Sequence, residues 1–515
     1  MGRLLGVSAR TFYLTAAGLA LAIKLAYYFF GLPLLMRGMG VQIAPNRTLP
    51  GYGLRTAGLD TAPPPPFPPI DAPRLWLRAN YQHADHPTYF QPFRHLLNCY
   101  QETRRWLCLT VLCQHYRLPG YGLFSALKYV FPFSWLPLPD LYLTLQISLA
   151  VLAAVLVGDL LRARHPLLGW VGVLTYAAFP YLVRYEYIIA SEGLSSSLLI
   201  LVLWLLWRSQ GRHIFWLGLA GLIILELILV RKAHAVLLLP FVGYIFQQNA
   251  TLRARSQRLG AFLLPLLAFE AFWLPCTYYY RGKPQPLNEV PGPPPAYQLT
   301  EWWHLIKLLG QNGEPFYWLY YSTYRLPPRL YTTSYAAQSE EELYSLLRRY
   351  YAGDSSAFYP LLKLLENWYE AVRREKPLSW QMETYLRAIS NFFTSHPQEV
   401  LRYTAWASAA PSYKWIMGLS IALWGFWVVS GLIGSFFFLI QIRRYGFLGW
   451  LGVAAHLSWA AYAVFLRLDS RYFLQALILF GILGLAFWQH IFVLYGSAPM
   501  GKLRHDATPY LGSLL

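Results

Sequence analysis

Ten mostly apolar stretches dominate this chain, at about 11–34, 141–161, 167–184, 192–207, 214–230, 234–247, 259–279, 413–440, 447–466 and 472–495. No other feature restricts its fold as much. A helix that crosses a bilayer needs about 20 such residues. Within hydrocarbon every backbone polar group must be satisfied internally, which only helices and closed barrels achieve. These runs are continuous rather than alternating, so the expected fold is an all-α polytopic membrane protein with about ten transmembrane helices. Composition supports this: 13% of the 515 residues are charged, against about a quarter in soluble domains.

Basic residues orient the runs. Arg3 and Arg10 precede the first one, and alternate connections carry Arg162/Arg164, Arg208/Arg212, Arg253/Arg255/Arg258, Arg443/Arg444 and Lys502/Arg504. Positive charge concentrates in cytoplasmic loops, so both termini are expected in the cytoplasm of a plasma (inner) membrane protein. Loops 35–140 and 281–412 then lie outside. The same argument accounts for the net charge of +19 and removes nucleic acid as a partner, because the basic clusters are short and sit between apolar runs. Three units follow: a membrane module over 1–280 that includes loop 35–140, an external and mostly helical domain over 281–412, and C-terminal membrane helices over 413–515.

The outer loops carry their own signals. "APPPPFPP" at 62–69 is extended and excludes helix. "HADHPTYFQPFRHLL" at 83–97 sets Asp85 ahead of Tyr89, Phe93 and Leu97 on one face of a short interfacial helix. In "SEEELYSLLRRYY", Ser339 and Glu342 have the spacing of a capping box, and helical patterns follow at about 358–374 and 380–393. Cys99, Cys108, Cys113 and Cys276 form no CxxC or zinc pattern; a disulfide among the first three is compatible with an extracytoplasmic loop.

Against the charge rule, basic residues also stand on the outer side: Arg231 and Lys232 in "VRKAH", Arg471 in "RLDSRYF", and Arg117 in "YRLPGYGLF". Asp85 and Glu192 share that level. A carboxylate or two among several cations suits an anionic, membrane-anchored substrate, and a lipid-linked phosphate or diphosphate has that character. Taken singly, each residue is equally at home as a polar cap or snorkelling side chain.

The order "DHPTY" (85–89), "RLPGYGLFSAL" (117–127), "SEGLSSSLLILVLWLL" (191–206), "VRKAHAVLLLPF" (230–241) and "DSRYFLQALILF" (469–480) resembles the membrane-embedded GT-C glycosyltransferases. Protein O-mannosyltransferases and aminoarabinose transferases are among them. The resemblance implies a polyprenyl-phosphate sugar donor used at the outer face, and a lipid, glycan or protein acceptor. By the same resemblance Asp85 is the catalytic base, Tyr89 belongs to a helix lying along the membrane, and Arg117 enters the second membrane helix. Arg231 and Arg471 lie near the donor phosphate, and Glu192 takes an acidic position after serine. The chain departs from the pattern where roughly 50 residues separate Asp85 from the first helix, making Asp60 and Asp71 rival bases. Lys232 replaces a common proline.

These residues permit a single-displacement transfer through an oxocarbenium-like transition state. Asp85 takes the acceptor proton. Arg231, Lys232, Arg471 and Arg117 stabilise charge on the leaving phosphate. His234 either joins them or hydrogen-bonds at a helix end. Glu192 orients a sugar hydroxyl, holds a divalent metal or pairs with an arginine; no residue pattern requires a metal, and no metal site is assigned. Within the membrane, Lys24 is expected to pair structurally with Glu226, with Glu270 a further intramembrane charge. Trp302 and Trp303 in "EWWHL" are expected to pack the external domain, which also holds "SHPQEV" at 395–400. Two other functions fit the chain: a transporter or flippase for a lipid-linked substrate, and a non-catalytic scaffold of GT-C descent. The former calls for an inverted repeat and broken helices, neither of which is legible.

Overall fold

Ser8 starts the first helix by accepting a hydrogen bond from the Thr11 amide at 3.2 Å, the usual role of an N-cap serine. The computed structural model describes principally residues 8–27, 138–281, 331–386, 411–464 and 470–496, the middle ranges with short gaps, together with 95–103 except 97 and residue 120. Among these residues there are helices and turns and no strand.

The membrane-type helices are α1 (Ala9–Ala26), α2 (Leu138–Arg162), α3 (Pro166–Ala178), α4 (Pro180–Glu186), α5 (Ser191–Arg208) and α6 (Phe215–Val230). A 3-10 turn, Lys232–Leu237, leads into α7 (Leu238–Gln247) and α8 (Leu252–Arg281). Helices α9 (Ala337–Tyr351) and α10 (Phe358–Glu375) form a small unit with its own apolar core. The C-terminal set is α11 (Pro411–Ile440), α12 (Phe447–Val464) and α13 (Ser470–Gly496).

Among the described residues six helices are long and apolar enough to cross a membrane, and four more apolar helices are shorter. The expectation of about ten full spans is therefore met only in part. The run at 167–184 breaks in two, contrary to the continuous helix read from sequence. Phe179 is extended at φ −71°, ψ 107°, and Pro180 opens α4, because proline pushes the preceding residue out of helical geometry yet suits a first helical turn. The run at 234–247 likewise begins as a 3-10 turn instead of an α-helix. Helix α8 keeps Pro265 and Pro275 inside its 30 residues, a tolerance common in membrane helices.

Helix packing rests on small residues. On α11, a Cβ at Gly431 would come within 2.3 Å of the Phe480 Cβ on α13, and one at Gly434 within 2.6 Å of the Leu483 carbonyl oxygen. Lipid gives helices no hydrophobic reason to associate, so close backbone approach supplies the contact area. Gly431→Ala is expected to cost about 1–3 kcal/mol by overpacking, read as a lower unfolding midpoint in detergent.

One end of the bundle is basic. Asp159 on α2 accepts from Tyr13 Oη at 2.8 Å, Trp204 Nε1 at 2.9 Å and Arg208 Nη2 at 3.1 Å, with Arg162 at 3.6 Å. Arg258 of α8 donates to the Ser209 carbonyl at 2.7 Å. Four helices are thus tied together where the alternating arginines converge. Farther along, the Trp450 indole donates to Gln247, which itself donates to the Ile442 carbonyl at 3.2 Å, next to Arg443 and Arg444.

In the small unit, Leu343, Leu361, Leu365, Trp368 and Val372 form a separate apolar core between α9 and α10. Helix α9 begins at Ala337, two residues before the expected cap; Ser339 lies inside it, and buried Glu340 accepts from Tyr331 Oη at 2.6 Å. Glu375, ending α10, holds Thr333 through its amide at 2.7 Å and its hydroxyl at 2.8 Å. The Thr333 amide, ahead of its hydroxyl, keeps the Glu375 carboxyl below the usual glutamate range. The folded carboxyl is the stronger acid, so this tie is complete above the ordinary glutamate value. It is lost as pH falls through the depressed one. Cleavage near Thr333 by an acid protease should rise as pH falls below the ordinary glutamate value in the native protein, whereas Glu375→Gln should be equally open throughout.

Candidate functional site

The end of the bundle opposite the arginines brings Glu192 and Arg231 together. Glu192 lies in the first turn of α5, where the helix dipole favours an anion, and Arg231 caps the C-terminus of α6, where it favours a cation. Arg231 Nη1 stands 3.5 Å from Glu192 Oε1. Ser191 Oγ donates to the other carboxylate oxygen at 3.3 Å, and Ser195 and Ser196 donate to the Glu192 carbonyl at 3.1 and 2.8 Å. Of the three roles open to Glu192, pairing with an arginine is the one observed. The pair is mostly buried, whereas Lys232 is exposed beside it.

Arg231 has extended backbone, φ −149° and ψ 109°, which ends α6 and redirects the chain into the 3-10 turn. That turn packs on α12 and brings His234 inward. His234 is buried, its amide held by the Arg231 carbonyl at 3.0 Å, and its ring faces Gln475 of α13. Gln475 in turn donates to Ser458 of α12 at 2.8 Å. Arg471 begins α13 one turn before Gln475, so its backbone belongs to the same end as Arg231.

Gly120 joins this end as well. A Cβ there would fall 2.5 Å from the Leu229 carbonyl carbon and 2.6 Å from the Val230 nitrogen. Only glycine lets the backbone at residue 120 lie on the last turn of α6, immediately before Arg231. Leu96, in the helical stretch after Phe93, packs against the main membrane core. Asp85, Tyr89, Arg117, Asp60 and Asp71 lie outside the described residues, as do Trp302, Trp303 and the 395–400 segment. Cys99 is disulfide-bonded and Cys276 is buried.

Lys24 departs from the pairing expected with Glu226. It pairs with Glu186 at the end of α4, Nζ to Oε2 2.5 Å, both side chains buried. Glu226 has no basic partner among the described residues, and its Oε1 is buried without a hydrogen bond. Two elements were missed in the sequence: Asp159 as the hub of the basic end, and Gln146, which donates to the Tyr185 and Glu186 carbonyls at 3.2 Å each. Asp159 interrupts an apolar run, which was the available signal. Among the described residues no group of three or more His, Cys, Asp or Glu side chains could hold a metal ion. No family model, no curated protein and no solved structure matches this chain.

Proposed function

We propose that the protein is a GT-C-type glycosyltransferase of the plasma (inner) membrane. It moves a sugar from a polyprenyl-phosphate donor to an acceptor hydroxyl at the outer face, with inversion in one displacement. In this reading the bundle has about ten spans, both termini are cytoplasmic, and loops 35–140 and 281–412 are extracytoplasmic. The disulfide at Cys99 fits an oxidising compartment. Basic residues gathered at the Asp159 end fit a cytoplasmic face.

The observation that carries the reading is Arg231 and Lys232 at the opposite end of the bundle, where topology charges alone would leave few cations. Arg231 is held by Glu192 at 3.5 Å, a preorganised guanidinium suited to bidentate phosphate contact. Arg471 and Arg117 add charge there, and Asp85 takes the acceptor proton. Loss of a positioned base typically costs about 10²- to 10⁴-fold in rate. Asp85→Asn, expressed at normal levels, should therefore match a deletion when lipid-linked sugars and surface glycans are profiled by mass spectrometry. Donor accumulates and one glycan lacks a sugar. An Asp85→Asn profile equal to wild type removes Asp85 as base and directs the same test to Asp60 and Asp71.

A second reading, a transporter of lipid-linked substrate, draws support from the break at Phe179–Pro180, since discontinuous helices often line transport sites. It predicts that the purified protein leaves the donor's sugar–phosphate bond intact. A scaffold makes the same prediction but moves no lipid across the bilayer.

A further inference from the structure

We propose that Lys24 and Glu186 are positioning residues for the Glu192–Arg231 site, their buried ion pair fixing the joint from which Glu192 emerges; this rests on the donor-binding reading above. Glu186 ends α4 and Glu192 lies in the first turn of α5, so six residues carry the chain from one to the other. Neighbouring helices hold that joint from several sides. Lys24 of α1 meets the Glu186 carboxylate at 2.5 Å. Tyr187 closes a loop back to α1 by donating its hydroxyl to the Lys24 carbonyl at 2.6 Å. Gln146 of α2 takes the carbonyls of Tyr185 and Glu186, which the end of α4 leaves without helical partners.

The first turn of α5 bears directly on the same atoms. A Cβ at Gly193 would stand 2.5 Å from the Tyr185 carbonyl oxygen and 2.6 Å from Gln146 Nε2. Gly193 is the residue after Glu192, so a shift at the end of α4 is transmitted to the carboxylate through touching backbone. At 3.5 Å the Glu192–Arg231 contact is long for a charge-assisted hydrogen bond. A displacement well under 1 Å closes or opens this contact. Packing alone does not call for charge here: apolar pairs of equal volume commonly serve as well as a buried ion pair. Ionisable residues inside membrane helices most often mark function.

The test uses the full chain in lipid nanodiscs. Phenylglyoxal labelling of Arg231, read by peptide mass spectrometry, reports the site without any assumed reaction; binding of undecaprenyl phosphate, read by native mass spectrometry, reports the ligand. Lys24→Met with Glu186→Gln keeps the volume and removes both charges, so it avoids the unpaired buried charge that either single change leaves. Contacting residues typically couple by energies equal to about twofold to 150-fold. In the neutral pair, Arg231 labelling should rise and undecaprenyl phosphate affinity should fall within that range, and the exchanged pair Lys24→Glu with Glu186→Lys should restore both. Wild-type labelling in a folded neutral pair overturns the proposal, as does faster labelling with unchanged affinity. Failure of the underlying reading is separate: Arg231→Ala that binds undecaprenyl phosphate like wild type overturns donor binding itself, whatever Lys24 and Glu186 do.

Discussion

Lys24→Met alone should destabilise the protein by about 3–5 kcal/mol, because it leaves the Glu186 carboxylate buried without its cation. The two side chains are 0% and 2% exposed, so water does not screen the loss. Glu186→Gln leaves the ammonium in the same position and should cost a similar amount. The neutral double variant should recover most of the stability, since removing both charges also removes the cost of burying them. Unfolding midpoints of the four proteins in one detergent check this. A double variant as unstable as the sum of the singles contradicts it, because contacting residues must be non-additive if the ion pair is what holds them.

The second large effect falls on Arg231. Arg231→Ala should lower sugar transfer by about 10²- to 10³-fold, the usual consequence of losing a preorganised group aimed at developing charge. Arg231→Ala also leaves the buried Glu192 carboxylate without this cation, so transfer is compared at equal amounts of folded protein. Arg231→Lys should fall between the two, keeping the charge but losing the planar fork. Lys232→Ala should cost less than Arg231→Ala, since an exposed lysine acts in a higher dielectric. Release of polyprenyl phosphate from a labelled donor measures all three. Glu192→Gln separates support from chemistry: it should weaken transfer by loosening Arg231 while leaving the pH profile that Asp85 sets.

Much of the architecture is legible in the sequence because hydrophobic length and loop charge are local properties. The alternating arginines predict one basic end, and Arg162, Arg208 and Arg258 do converge near Asp159 and Ser209. Glu192 and Arg231 are both recognisable as polar residues at run ends. That they meet depends on α5 and α6 lying side by side, which follows from a short connection. Lys24 is different. Its partner is set by the break at Phe179–Pro180, which turns α4 and Glu186 toward α1; a window of hydrophobicity smooths over that break. Pro180 was the readable clue. The Asp159 hub is hidden for a related reason: its donors come from α1 and α5, and no spacing in the sequence links Tyr13, Trp204 and Arg208 to it. Ser339 misleads because a capping spacing also arises by chance inside a helix whose start, Ala337, lies two residues earlier. Gly120 can be justified only in three dimensions, by the backbone of Leu229 and Val230 against it.

The central claim is transfer from a polyprenyl-phosphate sugar, and one measurement reaches it most directly. The purified full-length protein in nanodiscs is given the lipid fraction that accumulates in deletion cells, together with surface glycan from the same cells. Free polyprenyl phosphate and elongated glycan are followed by mass spectrometry. The account predicts that both appear together with wild type and that both fall by at least about 10²-fold with Asp85→Asn or Arg231→Ala. A wild-type protein that binds the lipid but leaves its sugar–phosphate bond intact contradicts the account.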